Sequence, residues 1–303
     1  VGRNNRWGFF PSVSGAWVID KEPWMQPLRQ ISKLKLRMGY GVSGNLGGID
    51  AYISQQSVMP NGVVSVGGTP TTTLGIIRNA NPDLKWEIKR TFNVGLDMGF
   101  WNNRVVLTAD YYTSHTSNML YLYDASVPPF IYDKVLANLG SMRNSGVEID
   151  LNSVVLHNSR LKWTVAANAT FLSNKILKLH PDFAKDGIKN GSRLYQEGQN
   201  MFQLNLVEYG GVDPVTGKAM YWTVSKDSKT GATSRVLTDN WDDAYANARH
   251  AMGNLLPTVT GGFSSTLEAF GFDLSVSASF QLGGKVMDEG YQDLMHVKSR
   301  DVG

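Results

Sequence analysis

Along much of the chain apolar and polar residues alternate one for one, the period of a strand with one face in an apolar medium and the other in water. From Phe92 the apolar positions are Phe92, Val94, Leu96, Met98 and Phe100, with Asn93, Gly95, Asp97 and Gly99 between them. After Asn102-Asn103 the parity flips, giving Val105, Leu107, Ala109 and Tyr111 against Thr108, Asp110 and Tyr112. Asparagine tolerates the positive φ of a tight hairpin turn. The spacing therefore predicts a hairpin that pairs Phe100 with Val105, Met98 with Leu107, Leu96 with Ala109 and Val94 with Tyr111. Asp97 then faces Thr108, and Gly95 faces Asp110.

Two more hairpins read the same way. In the second, Val147, Ile149, Leu151 and Val155 lead across His157-Asn158-Ser159 to Leu161, Trp163, Val165, Ala167, Ala169 and Phe171. A three-residue loop there predicts Val155 opposite Leu161, Leu151 opposite Val165 and Ile149 opposite Ala167. The third runs from Val259 through Phe270-Gly271 to Leu282, with Thr260, Gly262, Ser264, Thr266, Asp273, Ser275, Ser277, Ser279 and Gln281 on its polar side. Its register sets Glu268 against Asp273. Like charges directly opposed are unfavourable, so either water at a rim screens them or the register departs locally. Leu34 to Val42 forms an earlier strand, with Lys35 and Arg37 on the polar side.

Connections separate into two kinds. Tight turns at 102–103, 157–159 and 270–271 alternate with long irregular stretches, roughly 44–85, 115–140 and 178–257. The last contains a predicted helix, Trp241 to Met252, capped by Asp239 or Asn240. Structureless loops beyond about 12–15 residues are uncommon in compact soluble domains. Short turns on one side and long loops on the other belong to outer-membrane barrels, with the short turns periplasmic and the long loops extracellular.

A soluble β-sandwich also alternates, but its strands run about 5–6 residues, against about 9–11 for a strand that crosses hydrocarbon. Phe92–Phe100 and Phe272–Leu282 lie at the longer end. Phe100, Trp101 and Phe270 beside turns fit an interfacial aromatic girdle. The pattern thus favours an all-β, antiparallel transmembrane barrel segment, with the sandwich as the alternative. Average hydropathy like that of a soluble protein is compatible with this, because an alternating strand has one polar face. No window approaches the roughly 20 apolar residues of a membrane-spanning helix.

Composition narrows the function. The 303 residues include 29 basic and 26 acidic side chains without a basic run, so nucleic acid is not an expected partner. With 0 Cys, disulfide frameworks, cysteine zinc sites and thiol catalysis are excluded. The chain starts Val1-Gly2-Arg3 without the export signal such a protein requires, so part of the protein is expected to lie outside it.

Several phrases together resemble one family. Phe10-Pro11-Ser12-Val13-Ser14-Gly15-Ala16-Trp17 resembles the FPSVS-x-AW segment of SusC/RagA-type TonB-linked outer-membrane transporters. Leu34 to Asn45 resembles their KLR-x-x-YG-x-x-GN strand, and Asn81 to Glu87 their NP-x-LKWE run. The N-x-GLD-x-G and NNR…DYY pattern follows over Asn93 to Tyr112, and Asn144 to Glu148 is similar to N-x-GVE. Gly211 to Gly217 and Leu256 to Phe263 complete the order, so the resemblance covers nearly the whole chain. It implies that residues 1–303 are part of one barrel of about 22 strands, with a plug domain and the closing strands outside this sequence. It also implies a SusD-like lipoprotein over the outer mouth, a TonB complex acting through the N-terminal part, and oligosaccharide or peptide cargo. Outer-membrane lipids would surround the wall. A secreted β-rich adhesin or glycan-binding module is the competing function.

No constellation points to bond chemistry. His115, His157, His180, His250 and His296 lack ligand spacing, and Gly44 with Gly47-Gly48 lacks a phosphate-loop context. Neither a metal nor a cofactor is expected, and a hydrolase would need a nucleophile with its base, which does not stand out. Asp97, Asp110, Glu148 and Asp150 fall on polar strand faces and read as lumen-facing wall residues. Tyr52, Tyr195, Tyr221, Trp222, Trp241 and Tyr245 fall in or beside long loops. They are candidates for stacking on cargo or anchoring the lid protein, against the plainer role of loop packing. Asp213-Pro214-Val215-Thr216-Gly217 reads as a turn rather than a calcium loop.

Overall fold

A computed structural model describes residues 1–45, 52–124, 126–128, 130–226, 231–288 and 290; Gly47, Gly48 and His296 lie outside the described residues. Along the chain run β1 (Ser12–Val18), β2 (Ile31–Asn45), β3 (Ser57–Val66), β4 (Thr69–Arg78), β5 (Glu87–Phe100), β6 (Val105–Asp124), β7 (Lys134–His157) and β8 (Leu161–Leu179). Short strands β9 (Ile188–Asn190), β10 (Arg193–Tyr195), β11 (Gln203–Leu206) and β12 (Tyr209–Val212) follow. Then come β13 (Ala219–Lys226), β14 (Thr233–Thr238), helix α1 (Trp241–Asn247), β15 (His250–Asn254), β16 (Val259–Ala269) and β17 (Phe272–Leu282).

Eight of these form one antiparallel wall in the order β1-β2-β5-β6-β7-β8-β16-β17, open at its two edges. It is a partial barrel. One end of the wall carries the turns 101–104, 158–160 and 270–271; the other carries the long connections that follow β2, β6 and β8. No described helix is long and apolar enough to cross a membrane.

The first hairpin has the expected register throughout: Phe100 pairs with Val105, Met98 with Leu107, Leu96 with Ala109, Val94 with Tyr111, Asp97 with Thr108 and Gly95 with Asp110. Asn102 and Asn103 take φ of 59° and 61° as the turn demands, and Trp101 joins them at 51°. The third hairpin also holds, Glu268 against Asp273 included. In the second, the faces are right and the register is two residues out. Leu151 pairs with Ala167 and Ile149 with Ala169, because Val155 is bulged out of the ladder and the turn closes later. Asn158 makes that turn, its Oδ1 accepting the Arg160 and Leu161 amides at 2.9 Å each. A bulge absorbs one residue on one strand; with the later turn it gives an even slip, which keeps every side chain on its face.

The long connections are not irregular. Most of 115–140 is strand, since β6 and β7 stay paired as far as Asp124 and Lys134. The 44–85 stretch holds the β3–β4 hairpin, and 178–257 holds two small sheets. The helix ends at Asn247 instead of Met252, because His250–Asn254 pairs with β11. Asn240 is its cap, with Oδ1 accepting the Asp243 amide at 3.2 Å.

Cross-strand rows give the wall two unlike faces. The central apolar row reads Trp17, Leu36, Leu96, Ala109, Ile149, Ala169, Gly261 and Phe280. Its neighbour on the inner face reads Arg37, Gly95, Asp110, Glu148, Thr170, Thr260 and Gln281. Among the described residues nothing covers the apolar rows: Met38 is 48% exposed, Phe171 44% and Phe263 43%. A sandwich would bury such rows against a second sheet. The buried cluster sits at the long-loop end, where Ile176, Leu179, Ile188 and Tyr195 pack with Tyr121, Tyr123, Ala137, Phe183 and Met201.

Candidate functional site

Two regions carry the sequence-predicted residues. The first is the inner face of the wall. Arg37 on β2 lies opposite Gly95 on β5, which lies opposite Asp110 on β6. Gly95 has no side chain, so the guanidinium reaches across it. A Cβ there would collide with Asp110 Oδ1 and the Arg37 guanidinium. Arg37 Nη2 donates to Asp110 Oδ2 at 3.0 Å and to Asp97 Oδ1 at 3.0 Å, and Nε donates to both Asp97 oxygens at 3.2 Å. Lys33 Nζ adds a contact to Asp97 at 4.0 Å. Asp97 and Asp110 are thus brought together, as the two ends of one ion-pair network.

Glu148 and Asp150 continue the same face on β7 and are exposed. Asp150 accepts Asn152 Nδ2 at 2.6 Å. No pair of these carboxylates is set up as acid and base, since the only two in a shared network are held by arginine. Among the described residues no group of three or more His, Cys, Asp or Glu could hold a metal.

The second region is the long connection after β8. Tyr221 on β13 stands edge-on to Trp241 at the start of α1, ring centroids 5.0 Å apart, and Tyr209 on β12 lies 6.3 Å from Tyr221. Trp241 and Tyr245, one helical turn apart, are 6.0 Å apart. Tyr209, Trp241 and Tyr245 are exposed. Arg249 lies over the Tyr245 ring at 3.9 Å and Arg235 over Trp222 at 4.2 Å. Glu208 Oε2 accepts Arg235 Nη2 at 2.6 Å and lies 3.4 Å from His250 Nε2. Three of the six loop aromatics, Tyr221, Trp241 and Tyr245, therefore gather with Tyr209 into one aromatic strip, while Trp222, the next residue along β13, turns to the opposite face of its sheet with Arg235.

The other two do not join it. Tyr195 is buried in the loop-end cluster, edge-on to Tyr121 at 5.8 Å. Tyr52 stands apart, exposed, beside a cleft lined by Arg3, Arg6, Ser54, Gln55 and Pro82. Sequence reasoning missed Tyr209, Glu208, Arg235 and Arg249. The partners of Tyr221 come from β12 and β14, whose pairing no local signal marks. Asp213 is a turn residue: its carboxylate accepts the Val215 amide at 2.8 Å and the Thr216 hydroxyl at 2.9 Å. Those bonds, the Val215 amide first, hold its carboxyl below the ordinary range.

Known proteins share this fold. The family described as TonB dependent receptor-like, β-barrel matches residues 1–287. The TonB-dependent receptor SusC of Bacteroides thetaiotaomicron is 32% identical over 302 residues, covering 98% of this chain and 29% of that protein. TonB-dependent receptor P39 of Formosa agariphila is 27% identical, covering 99% of this chain and 31% of its own. Among solved structures, the RagAB peptide importer in its "closed-closed" state superposes with a TM-score of 0.76 at 29% identity, over 93% of this chain and 30% of the matched one. The chain therefore spans about three tenths of the length of these relatives.

Proposed function

This chain belongs to the TonB dependent receptor-like β-barrel family, and from that membership we propose that it forms eight wall strands of an importer in the outer membrane of a Gram-negative bacterium. The cargo class is oligosaccharide or peptide. A SusD-like lipoprotein covers the extracellular mouth, and a TonB complex supplies the energy through a part of the protein beyond these strands. The chain contributes no bond chemistry; it encloses a path.

One observation carries this reading: the wall is two-faced, apolar and uncovered on one side and charged on the other. In lipid the uncovered rows need no second layer, and the charged face lines a wet interior. A secreted adhesin would leave these rows in water, where burying apolar area is worth roughly 25 cal/mol per Å². The aromatic strip at the long-loop end supports a role in first contact with cargo or lid, because rings offer large contact area at low entropic cost.

Uptake by cells that carry the full-length protein tests the proposal. Labelled oligosaccharides and labelled peptides are offered with TonB intact or inactivated. The expected result is TonB-dependent entry of one class and recovery of the protein only with detergent. Recovery as a soluble, detergent-free secreted protein would contradict it.

A further inference from the structure

Just beyond the apolar band, on the same outward face, the register lines up a second kind of row. Arg90 on β5 pairs with His115 on β6, His115 with Arg143 on β7, and Arg143 with Lys175 on β8. Four neighbouring strands each contribute one basic residue at one level. Strands lie about 4.8 Å apart, so the row is roughly 14 Å wide.

Its direction follows from the parity of each strand. Arg90 shares a face with Phe92, Val94 and Leu96, and Lys175 with Ser173 and Phe171. Burial agrees: Phe171, Ser173, Lys175 and Leu177 are exposed, whereas Asn174 and Ile176 between them are buried. Arg90 and Arg143 are exposed as well.

Its height follows from the same rows. Phe92 to Phe100 spans about 26 Å of strand, or roughly 20 Å of membrane depth at a barrel tilt of about 40°. The row of Tyr40, Phe92, Thr113, Ser145 and Ser173 closes that band toward the long loops. The basic row comes next, two residues further along each strand. At the other end the band closes on the row Phe100, Val105, Ser153 and Val165, and the turns follow it directly.

From the basic row down to the turn end no carboxylate among the described residues takes the outward face of β5 to β8; Asp97, Asp110, Glu148 and Asp150 all take the inner face. Arg90, Arg143 and Lys175 form no ion pair with a described carboxylate. Among the described residues the Arg90 side chain donates to Ser117 Oγ, at 3.2 Å. A row of unneutralised cations at the rim of a lipid-facing band matches a negative headgroup, and anions at that level in a bilayer are phosphates.

We propose that Arg90, His115, Arg143 and Lys175 form a docking belt for a phosphate-bearing lipid headgroup of the outer leaflet, whose acyl chains lie on the apolar rows below. This rests on the outer-membrane reading given above. The belt fixes the depth of the wall and selects which lipid surrounds it.

The test uses the full-length protein in phosphatidylcholine vesicles containing bisphosphorylated lipid A or its dephosphorylated form, with bound lipid counted by native mass spectrometry. Wild type is expected to retain the phosphorylated lipid and not the other. The triple variant Arg90→Gln, Arg143→Gln, Lys175→Gln is expected to weaken retention on the order of a hundredfold, roughly fivefold per cation. Lys89→Gln, which removes a neighbouring cation from the opposite face, is expected to retain it as wild type does. Inorganic phosphate at the same concentration is expected not to displace it. Equal retention by the triple variant, equal retention of the dephosphorylated lipid, or displacement by inorganic phosphate would each overturn the belt. Insertion is scored separately by heat-modifiable gel migration. Wild type that fails to insert contradicts the membrane reading itself, whereas normal insertion with unchanged lipid binding contradicts the belt alone.

Discussion

Lys162 Nζ lies 2.9 Å from Glu268 Oε1, and Glu268 stands directly opposite Asp273 on the next strand. The like-charge pair that the sequence register created is thus compensated from the other side by β8, without a change of register. Both members of the ion pair are more than two-fifths exposed, so solvent screens it. Lys162→Gln in the full-length protein is expected to cost about 0.5 kcal/mol, and Lys162→Glu about 1 kcal/mol, since three carboxylates then share one row. Urea titration of the refolded protein measures both. In the Asp273→Asn background the Lys162→Glu loss shrinks.

Arg37 holds Asp97 on the neighbouring strand and reaches across Gly95 to Asp110. Replacing it by Met leaves two carboxylates without their shared donor, Asp97 with only 13% of its side chain exposed. The expected loss is about 1–3 kcal/mol, and Arg37→Met with Asp97→Asn recovers part of it in a double-mutant cycle. Gly95→Ala is expected to loosen the same network through its Cβ, without removing any charge.

Tyr195 and Trp241 looked alike in the sequence and occupy opposite environments. Tyr195→Ala empties a buried site and is expected to destabilise the loop-end cluster by about 3 kcal/mol, seen as faster hydrogen exchange over β9 to β11. Trp241→Ala removes an exposed ring, so stability is expected to stay within about 0.5 kcal/mol. Affinity for cargo or lid protein is expected to fall by about 2 kcal/mol in a binding titration.

That contrast shows where sequence reading stops. Strand existence, face and the first and third registers were legible, because Phe92 to Tyr111 and Val259 to Leu282 alternate with few exceptions, Val106 and Ser265 among them, about short turns. The bulge at Val155 was not, since an extra Val inside an apolar run leaves no mark. Beyond Thr113 the outward residues become Thr113, His115 and Ser117, so β6 loses its apolar contrast and reads as loop, though its backbone stays paired. His250 to Met252 reads as helix locally and is strand because β11 lies beside it. The charge network needed the register of three strands and a glycine gap together. The acidic positions and Arg37 were visible singly, their joining was not.

Lipid-facing and lumen-facing neighbours differ most in what a charge costs them. Ile149 sits in the central apolar row and Asp150 beside it on the inner face. Ile149→Lys is expected to destabilise the inserted protein by about 2–4 kcal/mol, while Asp150→Lys stays within about 1 kcal/mol. Folding titrations into vesicles measure the difference.

Spin labels placed one residue apart examine the two faces directly. Residues 1–303 contain 0 Cys, so Val147→Cys and Glu148→Cys each introduce one labelling position on this stretch of wall. In the full-length protein in vesicles, the label at 147 is expected to collide with membrane-dissolved oxygen and the label at 148 with a water-soluble nickel complex. Equal access of the nickel complex to both labels would mean that the apolar rows meet water, and would contradict the account.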